Sequence, residues 1–411
     1  MPRIVPLEAA VTIELDGDQL QACAGEPVAA ALIANDVTIF SRSPKYHRPR
    51  GVFCMTGACA HCLMRVDGVP NVPTCRIEVK AGMRLERQNA MPDARLDVFR
   101  ANDFVFRDWF NHHEFMAGIP IAEHVLLKIA RQLAGLGKLP EREAPQRKPA
   151  QIEHHRNVIV GAGAAGLAAA SELDSKGVPH VVFERERVIG GRLISAAENA
   201  QPALWNAPVR TGAEVVGLFA DDHQPFLAVI EHEQLKLVFF EQLLLTVGGH
   251  PALPAFANND LPGVMAGRAV STLIRRHHVL PGKRIACVGE AQEARALADM
   301  VIAAGGEAVA IGAQVTRAHG LRRVNAVALE TGEKVSCDVI AYCAPLSPAF
   351  ELARAAGAKV VWSAASRCFV VDADANGKTS APGVYVAGEI RGPMSSQAAA
   401  EQGLTAAKAL V

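Results

Sequence analysis

The sequence predicts an α/β chain in two parts. A small N-terminal α+β domain of the β-grasp type comes first, and a pair of doubly wound dinucleotide-binding domains follows. Three observations predict this. Four cysteines crowd into one short loop behind a strand–strand–helix pattern. A strand–glycine–helix–acid series then opens the second part. A degraded copy of that opening follows it, and the chain closes on a strand that points back to the first. The expected segments are residues 1–95 for the cysteine-bearing domain and 96–155 for a connecting segment and linker. Residues 156–250 form the first dinucleotide-binding half, 251–364 the second, degenerate one, and 365–411 the return.

Composition narrows the classes. Half of the 411 residues are apolar, enough for a large core, and 42 basic residues balance 42 acidic ones. That balance argues against a protein drawn to nucleic acid or to a membrane surface by net charge. The N-terminus lacks the apolar stretch of a secretory signal, and no run of about 18 apolar residues suggests a membrane span. The expected location is the cytoplasm.

In the first part, Val11-Thr-Ile-Glu-Leu15 alternates with period two, Asp16-Gly17 turns the chain, and Leu20-Gln-Ala-Cys23 pairs back. Glu26-Pro-Val-Ala-Ala-Ala-Leu-Ile-Ala34 reads as one helix with proline in its first turn. Lys45-Tyr-His-Arg-Pro-Arg50 comes next. Its cations suit a flavin phosphate or an acidic partner, and equally a solvated basic loop.

Then come Cys54, Cys59 and Cys62, spaced C-x4-C-x2-C, and Cys75. That is the spacing with which plant-type ferredoxins hold a 2Fe–2S cluster on four thiolates. Gly57, Ala58 and Ala60 permit a tight path with backbone N–H groups aimed at sulfur. Asp67-Gly68, set between short apolar runs, signals a hairpin that brings Cys75 back beside Cys62. Zinc could use the same thiols, but zinc sites favour paired C-x2-C knuckles and only one is here. Four available cysteines leave no need for His61 as a ligand, so it is expected on the solvent side. Cys23, Cys287, Cys337, Cys343 and Cys368 are expected as buried small hydrophobes.

The connecting segment concentrates aromatic residues, among them Phe104, Phe106, Trp109, Phe110 and Phe115, and is expected to pack between domains or on another chain. Pro140-Glu-Arg-Glu-Ala-Pro-Gln-Arg-Lys-Pro149 reads as a linker.

The second part opens at Asn157-Val-Ile-Val-Gly161-Ala162-Gly163-Ala-Ala165-Gly166. A buried strand runs into G-x-G-x-x-G, then an alanine-rich helix, then His180-Val-Val-Phe-Glu184. The glycines let backbone approach a pyrophosphate at the helix N-terminus, and Glu184 is placed for ribose hydroxyls. Arg185 follows it directly. Gly190-Gly191-Arg192 comes next, an element that flavin dinucleotide sites use near their phosphates and simple NAD sites usually lack. Leu243 to Gly248 and Ala381 to Gly388-Glu389 are strands ending in glycine. Glu389 is suited to ribityl hydroxyls or to a helix N-terminus. These parts predict FAD in a glutathione reductase-like pair of domains. The copy at Lys283-Arg-Ile-Ala-Cys-Val-Gly289 keeps one glycine of three. It places Glu290 and Glu293 where a pyrophosphate would lie, and the next strand, ending at Gly312, lacks an acid. It is read as scaffold.

Together these motifs resemble the iron–sulfur and flavin subunits of hydrogen cyanide synthase, opine oxidase and hydroxyproline dehydrogenase complexes, and the N-terminal part of the sarcosine oxidase α subunit. The carrying residues are the stretch from Ser43 to Gly51, the cysteine loop, Gln88 to Asp93, the first glycine loop, and Asp260 to Met265. The resemblance implies an electron-transfer subunit beside a second, FAD-containing flavoprotein subunit that oxidises a small amine, amino acid, imino acid or opine. It also implies an FMN at the subunit interface in some members, and attachment to the inner membrane only through the complex. The chain stops at Val411, so the extra C-terminal iron–sulfur domain of some relatives is expected to be missing. The glycine loop holds FAD in some relatives and another adenine nucleotide in others. Two other readings stay open: a stand-alone NAD(P)H-dependent ferredoxin-type reductase, and a non-catalytic nucleotide-binding scaffold. No catalytic side chain is assigned, because the cofactors carry the chemistry.

Overall fold

The computed structural model describes residues 3–44, 46–90, 92–101, 103, 140, 148–195, 208–221 and 224–411. The chain divides into two compact units, residues 1–144 with 253–344, and residues 145–252 with 345–411. The sequence boundary at residue 364 is thus displaced, because everything from Pro345 onward packs with the second unit. Phe104, Phe106, Trp109, Phe110 and Phe115 lie outside the described residues, as does most of the linker.

In the first unit a five-stranded sheet runs in the order Asp18–Cys23, Ala10–Leu15, Arg84–Glu86, Leu63–Val66, Val69–Pro73. Both tight turns follow from their residues. Asp16 and Gly17 have φ of 50° and 93°, and Asp67 and Gly68 have φ of 48° and 81°. Aspartate and glycine tolerate the left-handed region that such hairpins demand. The helix Val28–Ala34 lies on this sheet with its first five residues buried. Pro27 is its N-cap, so the helix begins two residues later than its sequence suggests.

The same hydrophobic core continues into residues 253–344. Ile13, Leu32, Phe53 and Met64 share it with Met265, Val270, Leu273 and Val279. Burial of such side chains stabilises by roughly 1.5–3 kcal/mol each. A four-stranded parallel sheet orders Val264–Ala266, Val339–Cys343, Arg284–Gly289 and Glu307–Ile311, with the helices Gly267–His277 and Ala291–Ala303 beside it. Backbone bonds stitch the two parts together: Ala266 N–H donates to Phe53 O at 3.0 Å and Ile4 N–H to His278 O at 2.8 Å. At Gly51 a Cβ would lie 2.5 Å from Thr38 O and 3.2 Å from Pro262, so only glycine fits that crossing.

The second unit holds a seven-stranded sheet. Its path is Val209–Thr211, His180–Glu184, Gln151–Val160, Gln234–Leu245, Gln224–Glu231, Ala213–Asp221, and Val384–Val386 also pairs with Gln234–Leu245. The strand Gln151–Val160 begins well before Asn157, with an exposed first half that the sequence assigned to linker. The returning residues Val384–Val386 run parallel to Leu243, Leu244 and Leu245, which places the C-terminal segment beside the first glycine loop. The helices Ala164–Ser175 and Ser396–Lys408 cover one face. Gly403 lets them touch, since a Cβ there would lie 2.0 Å from Ala165 O.

Candidate functional site

The hairpin does what its sequence predicts. Leu63 faces Pro73, Met64 faces Val72, and Thr74 N–H donates to Cys62 O at 3.2 Å, so Cys75 arrives beside Cys62. Cys54, Cys62 and Cys75 are buried and Cys59 is half-buried. Cys59 Sγ stands 3.3 Å from Cys54 Sγ. Thiol donation from Cys59, then from Cys75, holds Cys54 far below the usual thiol range. Donation from Cys75 lowers Cys62 to about 7. The two donors are pushed up in turn, Cys59 by Cys54, and Cys75 by Cys54 and then Cys62.

Backbone N–H groups add to this. Thr56 N–H reaches Cys54 Sγ at 3.3 Å, and the N–H groups of His61 and Cys75 donate to Cys59 and Cys62. Among the described residues no three His, Cys, Asp or Glu side chains are spaced to hold a single metal ion. The four sulfurs form one connected group, Cys54 with Cys59 and Cys75, and Cys75 also with Cys62. A 2Fe–2S cluster takes four cysteine ligands gathered in this way. The donor set and its N–H···S bonds fit a 2Fe–2S cluster.

His61 departs from expectation. It is half-buried, with its ring 5.8 Å from that of Phe53, and burial lowers its pKa. Cys287, Cys337 and Cys343 are buried as expected, whereas Cys23 and Cys368 are only half-buried.

The stretch before the cysteine loop is not a solvated basic loop. His47 is 2% exposed and its Nδ1 lies 2.7 Å from Asp97 Oδ2. Arg48 is engaged by Asp103 at 2.7 Å and Asp260 at 3.5 Å. Its charge is matched within the chain. Lys45 lies outside the described residues.

In the second unit the glycine loop divides its labour. Gly161, with φ of 100°, makes the turn, and a Cβ there would meet Thr246 O at 2.6 Å. Gly166 lets helix meet strand, since its Cβ would lie 1.9 Å from Gly161 O. Gly163 caps the helix Ala164–Ser175 and has nothing within 4 Å of where a Cβ would stand. That open place at a helix N-terminus fits a pyrophosphate. Glu184 is buried at the strand end; its Oε2 accepts from Ala162 N–H at 2.7 Å and its Oε1 from Glu186 N–H at 2.8 Å. Arg185 is exposed beside it and pairs with Glu186 at 3.7 Å.

The remaining candidates converge on this loop. A Cβ at Gly191 would lie 3.3 Å from Gly163 Cα, and one at Gly388 would lie 3.0 Å from the Ala165 side chain. Arg192 donates to Glu389 Oε1 at 2.9 Å and to Met394 O at 3.2 Å. Gly248 has φ of 73° and stands next to Glu389, whose Oε2 would be 3.9 Å from a Cβ there. Two supporting residues escaped the sequence reading. Thr246 Oγ1 donates to Val160 O and Gly161 O at 2.9 and 2.7 Å, and Gln402 Oε1 accepts from Gly388 N–H at 3.1 Å. Neither carries a motif; each is recognisable only once the strand and the last helix are docked.

The second opening closes on itself. Glu290 caps the helix Ala291–Ala303, its carboxylate accepting from Glu293 N–H at 2.9 Å. At Gly289 a Cβ would lie 2.0 Å from Cys343 O, so the turn survives. A carboxylate nonetheless stands where a phosphate would need to sit.

Comparison with known proteins matches three segments of the chain. A 2Fe-2S iron-sulfur cluster binding domain matches residues 8–90, an NAD(P)-binding Rossmann-like domain 159–228, and a pyridine nucleotide-disulphide oxidoreductase model 278–403. The sarcosine oxidase subunit alpha of Rhizobium meliloti (strain 1021) is 27% identical over 464 residues, covering 100% of this chain and 46% of that protein. The hydrogen cyanide synthase subunit HcnA of Pseudomonas aeruginosa is 37% identical over 87 residues, covering 21% of this chain and 83% of that protein. The chain spans about half or less of the sarcosine oxidase subunits it matches. Among solved structures, L-proline dehydrogenase from P. horikoshii shares the fold with a TM-score of 0.74 at 20% identity, over 98% of this chain and 73% of that one.

Proposed function

We propose, from its similarity to the sarcosine oxidase α subunit and the hydrogen cyanide synthase subunits, that this chain is the electron-transfer subunit of a multi-subunit amine or amino-acid dehydrogenase. Its partner is an FAD-containing subunit that oxidises a small amine, amino acid, imino acid or opine. Electrons leave this chain for an acceptor outside it. The reading places the complex in the cytoplasm; among the described residues no helix is long and apolar enough to cross a membrane.

One observation carries the reading. A four-thiol cluster site and an open dinucleotide loop share a chain whose second nucleotide opening is filled by its own Glu290. When bound, a 2Fe–2S cluster supplies one-electron capacity, and FAD converts between one- and two-electron transfer. The residues of the chain supply position and potential. Cys54, Cys59, Cys62 and Cys75 hold the cluster, and the N–H groups of Thr56 and His61 stabilise charge on its sulfurs. Gly161, Ala162, Gly163, Ala165 and Gly166 bring backbone to the pyrophosphate of FAD, and Glu184 with Arg185 faces its adenosine half. Gly191, Arg192, Gly248, Gly388 and Glu389 line the ribityl side. An FMN held jointly with the partner belongs to the same reading.

Purified alone, the chain should show no dye-linked oxidation of amines or amino acids. Co-expression with its genetic neighbour should produce that activity. Full turnover by the single chain would place the active site here and overturn the proposal. The stand-alone reductase reading has the pyridine-nucleotide family match at residues 278–403 in its favour, and the Glu290 cap against it.

A further inference from the structure

The turn at the head of the cysteine loop shelters a hydroxyl. Met55 and Gly57 flank Thr56 with φ of 55° and 77°. Glycine takes the left-handed region freely, whereas methionine is strained there. The two residues fold the chain back on Cys54, and Thr56 N–H donates to Cys54 Sγ at 3.3 Å. Gly57 and Ala58, the next two residues, are exposed, yet Thr56 Oγ1 is closed off from water. Strain of this kind collects where a function needs a fixed geometry.

Thr56 Oγ1 has no hydrogen-bond partner of its own. A buried hydroxyl left in that condition is unfavourable, so a fold that keeps one has a use for it. The sulfur beside it is already engaged. Cys54 Sγ accepts from Cys59 Sγ at 3.3 Å and from Cys75, and the Thr56 side chain stands behind these two thiols in its influence on that sulfur. Iron takes cysteine as the thiolate. With all four cysteines serving as ligands, Cys59 and Cys75 no longer carry a proton to donate. The N–H and O–H of Thr56 are then the donors of this turn left to Cys54 Sγ.

We propose that Thr56 is a tuning residue, whose hydroxyl donates to Cys54 Sγ when the four cysteines hold the cluster and thereby raises the reduction potential. Reduction places more negative charge on the ligand sulfurs, and an O–H donor stabilises that state over the oxidised one. Thr56 acts through the Cys54 sulfur and touches no substrate. The inference rests on the cluster assignment and not on the partner or the acceptor. A chain that carries no iron would refute the assignment, whereas a chain that carries iron at an unchanged potential would refute this inference alone.

The test is potentiometric titration of the full chain, purified with its cofactors bound and followed by electron paramagnetic resonance. That signal reads the reduced cluster apart from the flavin. Thr56→Val keeps the shape of the side chain and removes the hydroxyl. It should hold iron and sulfide like wild type, while its reduction equilibrium falls by about tenfold, equivalent to ~59 mV for one electron. Thr56→Ser keeps the hydroxyl and should stay close to wild type. A role in packing alone would reverse that order, because serine lacks the methyl group that valine retains. Thr56→Ala gives the same reading as Thr56→Val should the latter fail to load iron. Equal potentials in wild type and the variant without the hydroxyl, or a fall in Thr56→Ser as large as in that variant, would overturn the proposal.

Discussion

Glu290 turns its carboxylate onto the backbone N–H of Glu293 at 2.9 Å, and so occupies the N-terminus of its own helix. In a working dinucleotide domain that terminus faces a pyrophosphate. NADH and NADPH should therefore reduce the flavin of the isolated chain no faster than background. Anaerobic stopped-flow absorbance gives the answer directly, and rapid bleaching would restore the reductase reading.

The four thiols form one hydrogen-bonded group, so each ligand matters to the whole. Iron and acid-labile sulfide should each come to about two per chain, as in any 2Fe–2S protein. Cys62→Ser should lower both while leaving FAD content unchanged, because the glycine loop belongs to the other unit. Stoichiometric zinc with no iron would refute the cluster assignment.

Two glycines of the same loop should fail differently. Gly166→Ala places a methyl 1.9 Å from Gly161 O, a clash with backbone that cannot move aside. It should cost about 3 kcal/mol or prevent folding of that unit. Gly163→Ala meets nothing within 4 Å in the free protein. It should fold with near-normal thermal stability yet retain little FAD, as measured by flavin released on denaturation. Equal flavin content in Gly163→Ala and wild type would mean that the pyrophosphate lies elsewhere.

Acid sensitivity has a specific source in the second unit. Glu153 and Glu231 share Arg210 and Lys236, and hydrogen bonds from Arg210 hold both carboxylates at about 2, below the ordinary 4.5. Depressed carboxylates contribute stability that is complete above the unfolded pKa and fades as pH falls through the folded one. Arg210→Gln should thus destabilise the chain at neutral pH, and its difference from wild type should shrink from about pH 4.5 down to about pH 2. Urea unfolding at several pH values would show this. A constant difference would mean that Arg210 acts by packing on the Phe183 ring, 4.8 Å away, and not by charge.

Features fixed by local rules were legible in the sequence. Asp67-Gly68 announced its turn because few residues accept positive φ, and that turn delivered Cys75 to Cys62. The glycine loop was legible for a similar reason, since steric exclusion at Gly161 and Gly166 leaves no alternative residue. Features made by distant partners were not legible. His47 and Arg48 look like exposed cations until Asp97, Asp103 and Asp260 fold against them. Thr246 and Gln402 are ordinary residues whose roles exist only after two strands and a helix have met. The strand start at Gln151 was hidden because its first residues are exposed on an extension of the sheet, where no buried run marks them.

The stitch between Phe53 and Ala266 also sets a schedule for biosynthesis. The cysteines emerge early from the ribosome, but the backbone that braces their loop and the residues that complete its core follow some two hundred positions later, near Ala266 of a 411-residue chain. Until then four thiols sit in a half-built domain, open to oxidation and to the wrong metal. Domains usually fold in the order in which they are made. Here the backbone bond that braces the cysteine loop, Ala266 N–H to Phe53 O, can form only after the residues around Ala266 have been made.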